Sequence, residues 1–322
     1  MRRLIVAFAV LLALGVVGFG GFLLAVARYN GPGPLAATRV VVVPRGTPAM
    51  VGEALVEAGV VSNEVAFRAA VLATSAKGAL RAGEFTFPEH ASLFATLAIL
   101  RNGRAVQHRL TIPEGLTAAQ IAQILDRAPS LDGDTPVPQE GEMLPETYAY
   151  TLGTTREAML ERGRAAMDKA LAQAWASRDP KVTLSAPADM LTLASIVERE
   201  TSRPEERAHV AAVFLNRLRL GMKLQSDPTT AYAVSGGLSS NDRGLTRANL
   251  DTANPYNTYF TPALPPGPIA SPGLAALQAV ARPLASDDLF FVADGNGGHA
   301  FAKTQEDHNR NVARWRALSL AR

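Results

Sequence analysis

The sequence predicts an α+β protein with an N-terminal transmembrane helix, a small βα module and a larger mixed α+β domain. Three observations support this order: an uninterrupted apolar stretch near the N terminus, two strand–turn–helix patterns in the first half of the chain, and long amphipathic helices in the second half. The 322 residues leave room for about two domains, and the 48% hydrophobic and 19% charged content excludes a disordered chain.

The apolar stretch covers residues 4–27, which are 24 positions without a charge. As a helix it would be about 36 Å long, enough to cross a hydrocarbon core of about 30 Å. Ala25-Val26-Ala27 also has the form of a signal-peptide cleavage site, but the apolar segment of a signal peptide has only about 7–15 residues. We therefore predict a retained transmembrane helix over 4–27, preceded by a cytoplasmic end, residues 1–3, that carries two arginines.

The charge distribution and the cysteine count exclude several classes of protein. The net charge of +3 and the pI near 9.3 come from the two ends, because residues 28–309 contain 26 basic and 29 acidic side chains. This distribution does not indicate a nucleic-acid-binding surface. The absence of cysteine rules out thiolate metal sites, iron–sulfur clusters and cysteine nucleophiles.

A linker and a small module follow the apolar stretch. Residues 28–38 contain several glycines and prolines and are predicted to be the linker. The module, 39–109, begins with a β-branched strand from Val40, a Pro-x-Gly turn and a helical pattern, and the same order recurs 69 residues later from Leu110. We interpret the two units as a degenerate internal repeat, although two such common turns can also resemble each other by chance.

The larger domain is predicted over 110–322. Its segment 128–142 is rich in Pro, Gly and Asp and indicates a loop, whereas 155–176 consists of good helix formers and predicts a long helix. A further helix is predicted from Pro187, where apolar residues recur at three- and four-residue spacing.

Glu198 lies in the last turn of that helix, at the margin of its apolar stripe. The helix must end before Pro204, and Ser202–Glu205 match a capping box that would start the next helix, so the chain bends sharply beside Glu198. A carboxyl in such an apolar corner has a raised pKa and can donate a proton at neutral pH. Glu200, in contrast, is expected to form a solvent-facing pair with Arg203.

The second half of the chain contains a series of short motifs in a fixed order. They are LASIVERET at 193–201, VFLNRL at 213–218, GMKLQSDPT at 221–229, PYNTY at 255–259, GPI at 267–269 and FVADG at 291–295. In order and spacing, over about residues 110–315, the chain resembles the MltG (YceG-like) family of endolytic murein transglycosylases. Several motifs in register are a stronger signal than one short pattern.

The resemblance implies a single-pass protein of the bacterial inner membrane, with a LysM-like fold for 39–109 and a YceG-like catalytic domain in the periplasm. It implies cleavage of MurNAc-β-1,4-GlcNAc bonds within peptidoglycan strands, which would terminate nascent strand elongation, and Glu198 matches the family's catalytic glutamate. In this reaction the MurNAc C6 hydroxyl is the nucleophile and closes a 1,6-anhydro ring. One carboxyl can then serve as acid and as base, and no metal or other cofactor is implied.

A first group of predicted substrate contacts follows the helix that is predicted to start after the bend at Pro204. Gln225, Ser226, Asp227 and Thr229 offer amide, hydroxyl and carboxyl groups that suit sugar hydroxyls and N-acetyl groups. From the residues alone, an Asp-Pro turn with local caps is the favoured explanation. The resemblance favours substrate binding.

Further predicted contacts lie elsewhere in the chain. Tyr256, Asn257, Thr258 and Tyr259 offer rings, an amide and a hydroxyl for a glycan, but they also suit core and turn positions. Glu146 matches a family position that usually holds an acidic residue. It is expected either near the groove or as a helix-start cap.

The glycine-rich segment 294–299 has three interpretations. As a phosphate cradle it lacks the Lys-Ser/Thr of a P-loop. As a metal site with Asp307 and His308 it lacks the usual ligand spacing. The resemblance favours a hairpin turn whose Asp294 and His299 help to form the substrate site.

Two other functions stay open. A non-catalytic, membrane-anchored scaffold that binds peptidoglycan would need only the N-terminal module, and a hydrolytic muramidase would differ only in the attack of water. The expected partners are peptidoglycan strands, the membrane and peptidoglycan synthases of the penicillin-binding class, without nucleic acid.

Overall fold

The structure, a computed structural model, describes residues 2–239 and 244–320 and divides into two compact units. The first unit contains Met1–His108 and Tyr150–Gly153. The second contains Arg109–Ala149 and Thr154–Arg322, and it holds every motif on which the family resemblance depends.

The first unit begins with an exposed apolar helix, α1 (Arg2–Asn30). A 26-residue part of it is long and apolar enough to cross a membrane. The helix continues past the predicted end at Ala27, because the first residue that breaks it is Pro32. Near its end, Tyr29 packs edge-on against Phe94, with 5.8 Å between the ring centroids.

The rest of the first unit is a two-stranded sheet covered by helices. β1 (Arg39–Val43) pairs antiparallel with β2 (Gly83–Phe87), and each strand buries alternate residues towards the core, as period-2 patterning requires. The helices of this unit are α2 (Pro48–Glu57), α3 (Glu64–Ala73) and α4 (Leu93–Asn102). Each starts after a Thr, Asn or Ser whose side chain accepts a backbone N–H of the first turn, which explains why they begin at these positions.

The second unit begins with short strands and two helices. Its first elements are β3 (His108–Thr111), which starts in the first unit, α5 (Ala118–Arg127), β4 (Leu131–Asp132), β5 (Thr147–Tyr150), β6 (Thr154–Thr155) and α6 (Arg156–Ala176). β3 pairs with β5, and β4 pairs with β6 in parallel. β4 lies inside the segment predicted as a loop, whereas α6 matches the predicted long helix. A capping box between Thr117 and Gln120 starts α5.

The core of the second unit is helical. The remaining elements are α7 (Pro187–Glu200), α8 (Arg207–Arg219), α9 (Asp227–Ser235), α10 (Arg247–Leu250), α11 (Leu274–Ala281), β7 (Phe290–Ala293), β8 (His299–Ala302) and α12 (Gln305–Leu320). Buried apolar residues of α6, α7, α8 and α11 form one continuous cluster. The predicted capping box at Ser202 is wrong: a 3₁₀ turn, Pro204–Glu206, leads into α8, and Arg203 before it makes no side-chain cap.

Candidate active site

Two glutamates end helix α7, and they lie on different sides of it. The helix starts at Pro187, where the Asp189 carboxylate accepts the backbone N–H groups of Ser185 and Ala186. It ends where the chain becomes extended at Thr201. Because residues i and i+2 of a helix do not share a face, Glu198 and Glu200 meet separate surroundings.

Glu198 is the buried member of a cluster of charges, which we name the Glu198 cluster (Glu114, Glu198, Arg207 and the Gly273 N–H). Its side chain is 5% exposed. Oε1 accepts a hydrogen bond from Arg207 Nη2 at 3.2 Å, and Oε2 accepts one from the Gly273 N–H at 2.9 Å. The same Arg207 nitrogen lies 3.4 Å from Glu114 Oε2.

The pKa of Glu198 is raised above its ordinary value. Burial is the main cause, and the Glu114 carboxylate adds to it, while the Gly273 N–H and Arg207 act in the opposite direction. The raised pKa expected of a proton donor is therefore present. Its exposure is small, because the side chain is 5% exposed and each oxygen accepts one hydrogen bond from the protein.

A glycine lets the cluster close around Glu198. A Cβ at Gly273 would overlap the Glu114 carboxyl, so a side chain there would push Glu114 away from Arg207. On the other side, Arg199 donates to the carbonyl of Gly115 at 3.3 Å, and Gly115 has a positive φ of 75°. The Glu198 cluster thus joins the end of α7 to the loop after β3 and to the start of α11.

Glu200 lines an open cavity of about 420 Å³, which we name the Glu200 cleft. Its wall comes from the end of α7, α8, the turn before α9, the β7–β8 hairpin and α12. The polar side chains on it are Glu200, Arg217, Gln225, Asp227, Tyr259, His299 and His308. The volume and the mixture of aromatic and polar lining residues are typical of a ligand site.

Arg217 holds one wall of the cleft together. The guanidinium is buried and donates to the carbonyls of Leu289 at 2.6 Å and Leu224 at 2.8 Å, and to the side chain of Gln225 at 3.2 Å. Burial lowers its pKa, and Tyr259 and the Glu200 carboxyl oppose that shift. The Arg217 guanidinium therefore interacts electrostatically with Glu200 and Tyr259 in the cleft.

The turn before α9 presents Gln225 and Asp227 to the cleft. Gln225 adopts the left-handed conformation, with φ of 55°, and its N–H donates to the Thr258 carbonyl. Asp227 Oδ1 accepts the Tyr259 hydroxyl at 2.6 Å. Burial raises the pKa of Tyr259, and the hydrogen bond to Asp227 raises it further. The phenol is thus fixed as a hydrogen-bond donor.

Four of the predicted contacts are buried, and they stabilise the cleft rather than line it. Ser226, Thr229, Asn257 and Thr258 are at most 1% exposed. Thr229 and Thr258 bond each other at 2.8 Å, Thr258 accepts the Ser226 N–H, and Asn257 accepts the Thr230 hydroxyl. These bonds hold the four side chains behind the cleft wall, and the Ser226 hydroxyl also donates to Glu200. Direct contact of these four residues with a sugar stays a prediction.

Tyr256 and Glu146 lie apart from the residues that line the cleft. Tyr256 packs against Tyr232 with 4.9 Å between ring centroids, and Tyr232 in turn bonds Glu140. Glu146 is exposed, and its carbonyl accepts the Ile112 N–H. Neither position brings a second carboxyl or a ring into the Glu200 cleft.

The glycine-rich segment forms the predicted hairpin between β7 and β8. Asp294 fixes its turn by accepting the N–H groups of Asn296 at 2.6 Å and Gly298 at 3.0 Å, and both bonds lower its pKa. His299 lies on the cleft wall. No three metal-binding side chains gather anywhere in the described part of the chain.

Residue chemistry alone does not identify two members of the cleft. It places Glu200 on the solvent-facing surface beside Arg203, whereas Arg203 approaches Glu205 and Glu206 instead. It gives Arg217 no role, but it does name Tyr259 as a candidate glycan contact, and Tyr259 lines the cleft. The signal that could have found Glu200 is its position two residues from Glu198, because this turns it away from the apolar stripe.

These observations define a class: an α+β protein with a membrane-length apolar helix near its N terminus and, in its second unit, a carboxyl-bearing polar cleft. The profile of the YceG-like family matches residues 40–314, so the chain belongs to the YceG-like family. Relatives named endolytic murein transglycosylase occur in Streptococcus pneumoniae, at 33% identity over 73% of this chain and 50% of the relative, and in Bacillus subtilis, at 35% identity over 54% and 47%.

A solved structure agrees with this assignment. A crystal structure of a YceG-like protein from Listeria monocytogenes superposes with a TM-score of 0.53 and 27% identity, covering 85% of this chain and 99% of that one. The chain spans about half the length of the curated relatives it matches.

Proposed function

We propose that the protein is an endolytic lytic transglycosylase that cleaves MurNAc-β-1,4-GlcNAc bonds within peptidoglycan strands and leaves 1,6-anhydroMurNAc ends. Membership of the YceG-like family and the names of the relatives support the reaction. The observation that carries it is the carboxyl of Glu200 on the wall of an uncovered polar cleft.

In the reaction, Glu200 donates its proton to the departing glycosidic oxygen while the MurNAc C6 hydroxyl attacks C1 and gives its own proton to a basic group in the cleft. The Ser226 hydroxyl holds the carboxyl in position, and Arg217 lies in the same cleft as a fixed cation. Gln225 and the Asp227–Tyr259 pair provide the polar groups for sugar hydroxyls and N-acetyl groups. Closure of the anhydro ring uses no second carboxyl as nucleophile.

Glu200 is preferred to Glu198 as the acid because only Glu200 lines the cleft. Glu198 was the expected acid on sequence grounds, but its two oxygens are bonded to Arg207 and Gly273. We assign Glu198 a positioning role, in which it joins the end of α7 to the start of α11 and so fixes where Glu200 points.

A hydrolytic muramidase is the second candidate, since Asp227 is a second carboxyl on the cleft wall. Digestion of uncrosslinked glycan strands by the full chain in detergent, followed by mass spectrometry, separates the two. A transglycosylase gives anhydro ends, 18 Da lighter than the reducing ends from hydrolysis by the chemistry of ring closure. If the strands stayed intact, the protein would be a scaffold that binds peptidoglycan without cleaving it.

The N-terminal part completes the proposal. The apolar helix anchors the chain in the inner membrane with its first residues in the cytoplasm and the catalytic unit in the periplasm. Residues 39–109 form a LysM-like module that holds glycan, and 110–322 form the catalytic domain. In this arrangement the enzyme would terminate nascent strands beside the peptidoglycan synthases that make them.

A further inference from the structure

A carboxylate–histidine pair lies beside the Glu200 cleft. Glu206, in the 3₁₀ turn before α8, accepts the backbone N–H of His299 through Oε1 at 2.9 Å, and its Oε2 lies 2.7 Å from the ring Nδ1 of His299. The two side chains are 11% and 18% exposed. One carboxylate therefore fixes both the backbone and the ring of His299.

The pair is connected to the end of helix α7. The Thr201 hydroxyl donates to Glu206 Oε2 at 3.1 Å, and Thr201 directly follows Glu200. Gly298 makes the approach of Glu206 possible, because a Cβ there would lie 2.6 Å from Glu206 Oε1. Glu200, at the end of α7, and His299, at the start of β8, thus line the same cleft. Glu206 connects the two elements through its bonds to Thr201 and His299.

The hydrogen bonds determine which nitrogen of the ring is basic. Thr201 and the His299 backbone both donate to Glu206. Burial raises the pKa of Glu206, but the hydrogen bonds and charge of His299 and the Thr201 bond together lower it. A carboxylate only accepts, so the ring hydrogen that faces Glu206 lies on Nδ1, and the neutral tautomer with that hydrogen has its lone pair on Nε2. Nε2 makes no hydrogen bond within the described ranges.

We propose that His299, oriented by Glu206, accepts the proton of the MurNAc C6 hydroxyl while Glu200 protonates the leaving group; this rests on the proposed function. The C6 oxygen forms its bond to C1 as the bond from C1 to the glycosidic oxygen breaks. The C6 proton goes to His299 Nε2, and the Glu200 proton goes to the leaving oxygen. Transfer of a proton from the imidazolium to the Glu200 carboxylate, through water, restores both groups.

The other histidines of the second unit do not offer the same arrangement. His308 also lines the cleft, but its ring stacks on Phe290 with 5.1 Å between centroids. Burial lowers its pKa and the charge of Arg217 lowers it further. His209 also pairs with a carboxylate, through Nε2 and Asp288 at 2.8 Å, but outside the cleft, which makes it a matched control.

The test compares His299→Ala and His299→Gln in the full chain. Both are expected to lower kcat about 100- to 1000-fold with KM changed less than threefold, which is the usual contribution of a positioned base. Gln keeps a donor towards Glu206, so it removes the base while preserving the fold. Free imidazole should restore His299→Ala in a saturable way and leave His299→Gln and Glu200→Gln inactive.

Glu206→Gln tests the orienting role. The amide can donate to Nδ1 and so stabilise the opposite tautomer, and we expect a loss of about 100-fold or more in kcat. His209→Gln should retain wild-type kcat per folded molecule. Anhydro product from the wild type, together with a fully active or unrescued His299→Ala, would overturn the role of His299 alone. Reducing ends from the wild type would overturn the proposed function itself.

Discussion

Two carboxyl groups at the end of one helix lie in opposite environments. In the Glu198 cluster, an arginine and a backbone N–H occupy both oxygens of a side chain that is 5% exposed. In the Glu200 cleft, a carboxyl held by the Ser226 hydroxyl lines an open cavity. Burial alone raises a pKa, but a proton donor also needs access to the substrate. The comparison therefore separates a carboxyl bonded on both oxygens from the one that the proposed function makes the proton donor.

Exchange of each carboxyl for its amide gives the largest expected effect. Glu200→Gln should lower the rate of strand cleavage about 1000-fold, because it removes the proton donor, and should change the free energy of unfolding by less than about 0.5 kcal/mol. Product release measured by chromatography and urea unfolding of the same samples check both expectations.

Glu198→Gln is the matched variant. It should keep cleavage within about tenfold of wild type and cost about 1 kcal/mol, because it weakens the bond to Arg207. If Glu198→Gln were stable but inactive while Glu200→Gln stayed active, Glu198 would be the catalytic acid, as the sequence predicts.

The next largest expected effect is a loss of stability when the cation of the Glu198 cluster is removed. Arg207→Met leaves Glu198 and Glu114 facing each other without a counter-charge, and we expect a loss of about 3 kcal/mol in the free energy of unfolding. Urea denaturation measures it. Arg203→Met is the control, because its ion pairs are long and its side chain is 43% exposed, so its loss should be below about 0.5 kcal/mol. Equal losses in the two variants would contradict a special role for the cluster.

Local patterning predicted much of the fold but not the partners of the site. The apolar stretch, the strand at Val40 and the helix ending near Glu198 follow from hydrophobic spacing and breakers. The contacts of Glu198 with Gly273 and of His299 with Glu206 join residues more than 70 positions apart. No local sequence pattern encodes such pairs, because they form only through tertiary contacts.

Glu140 extends the comparison to a third carboxyl of the second unit, one without a cation partner among the described residues. It accepts the Ala118 N–H at the start of α5 and the Tyr232 hydroxyl, and burial raises its pKa to about 7. The folded state therefore binds its proton more tightly than the unfolded chain. The resulting stability is present below about pH 4.5 and is lost as the pH rises through 7, by at most about 3 kcal/mol.

Urea unfolding between pH 4.5 and 8 measures this loss. Glu140→Gln should remove most of the decrease, and Glu198→Gln should remove a smaller part, since the pKa of Glu198 is also raised. An unchanged slope in Glu140→Gln would mean that this carboxyl is not protonated preferentially in the folded state.

The smallest expected effect distinguishes two tyrosines of one motif. Tyr259→Phe removes the hydroxyl that Asp227 accepts at 2.6 Å on the cleft wall, and kcat/KM should fall about fivefold, which is the cost of one hydrogen bond of about 1 kcal/mol. Tyr256→Phe should leave kcat/KM unchanged, because Tyr256 packs on Tyr232 away from the residues that line the cleft. Steady-state cleavage of strands of defined length separates them. A loss of kcat/KM in Tyr256→Phe but not in Tyr259→Phe would make Tyr256 the glycan contact. The glycan-binding surface would then have to extend beyond the Glu200 cleft to Tyr256.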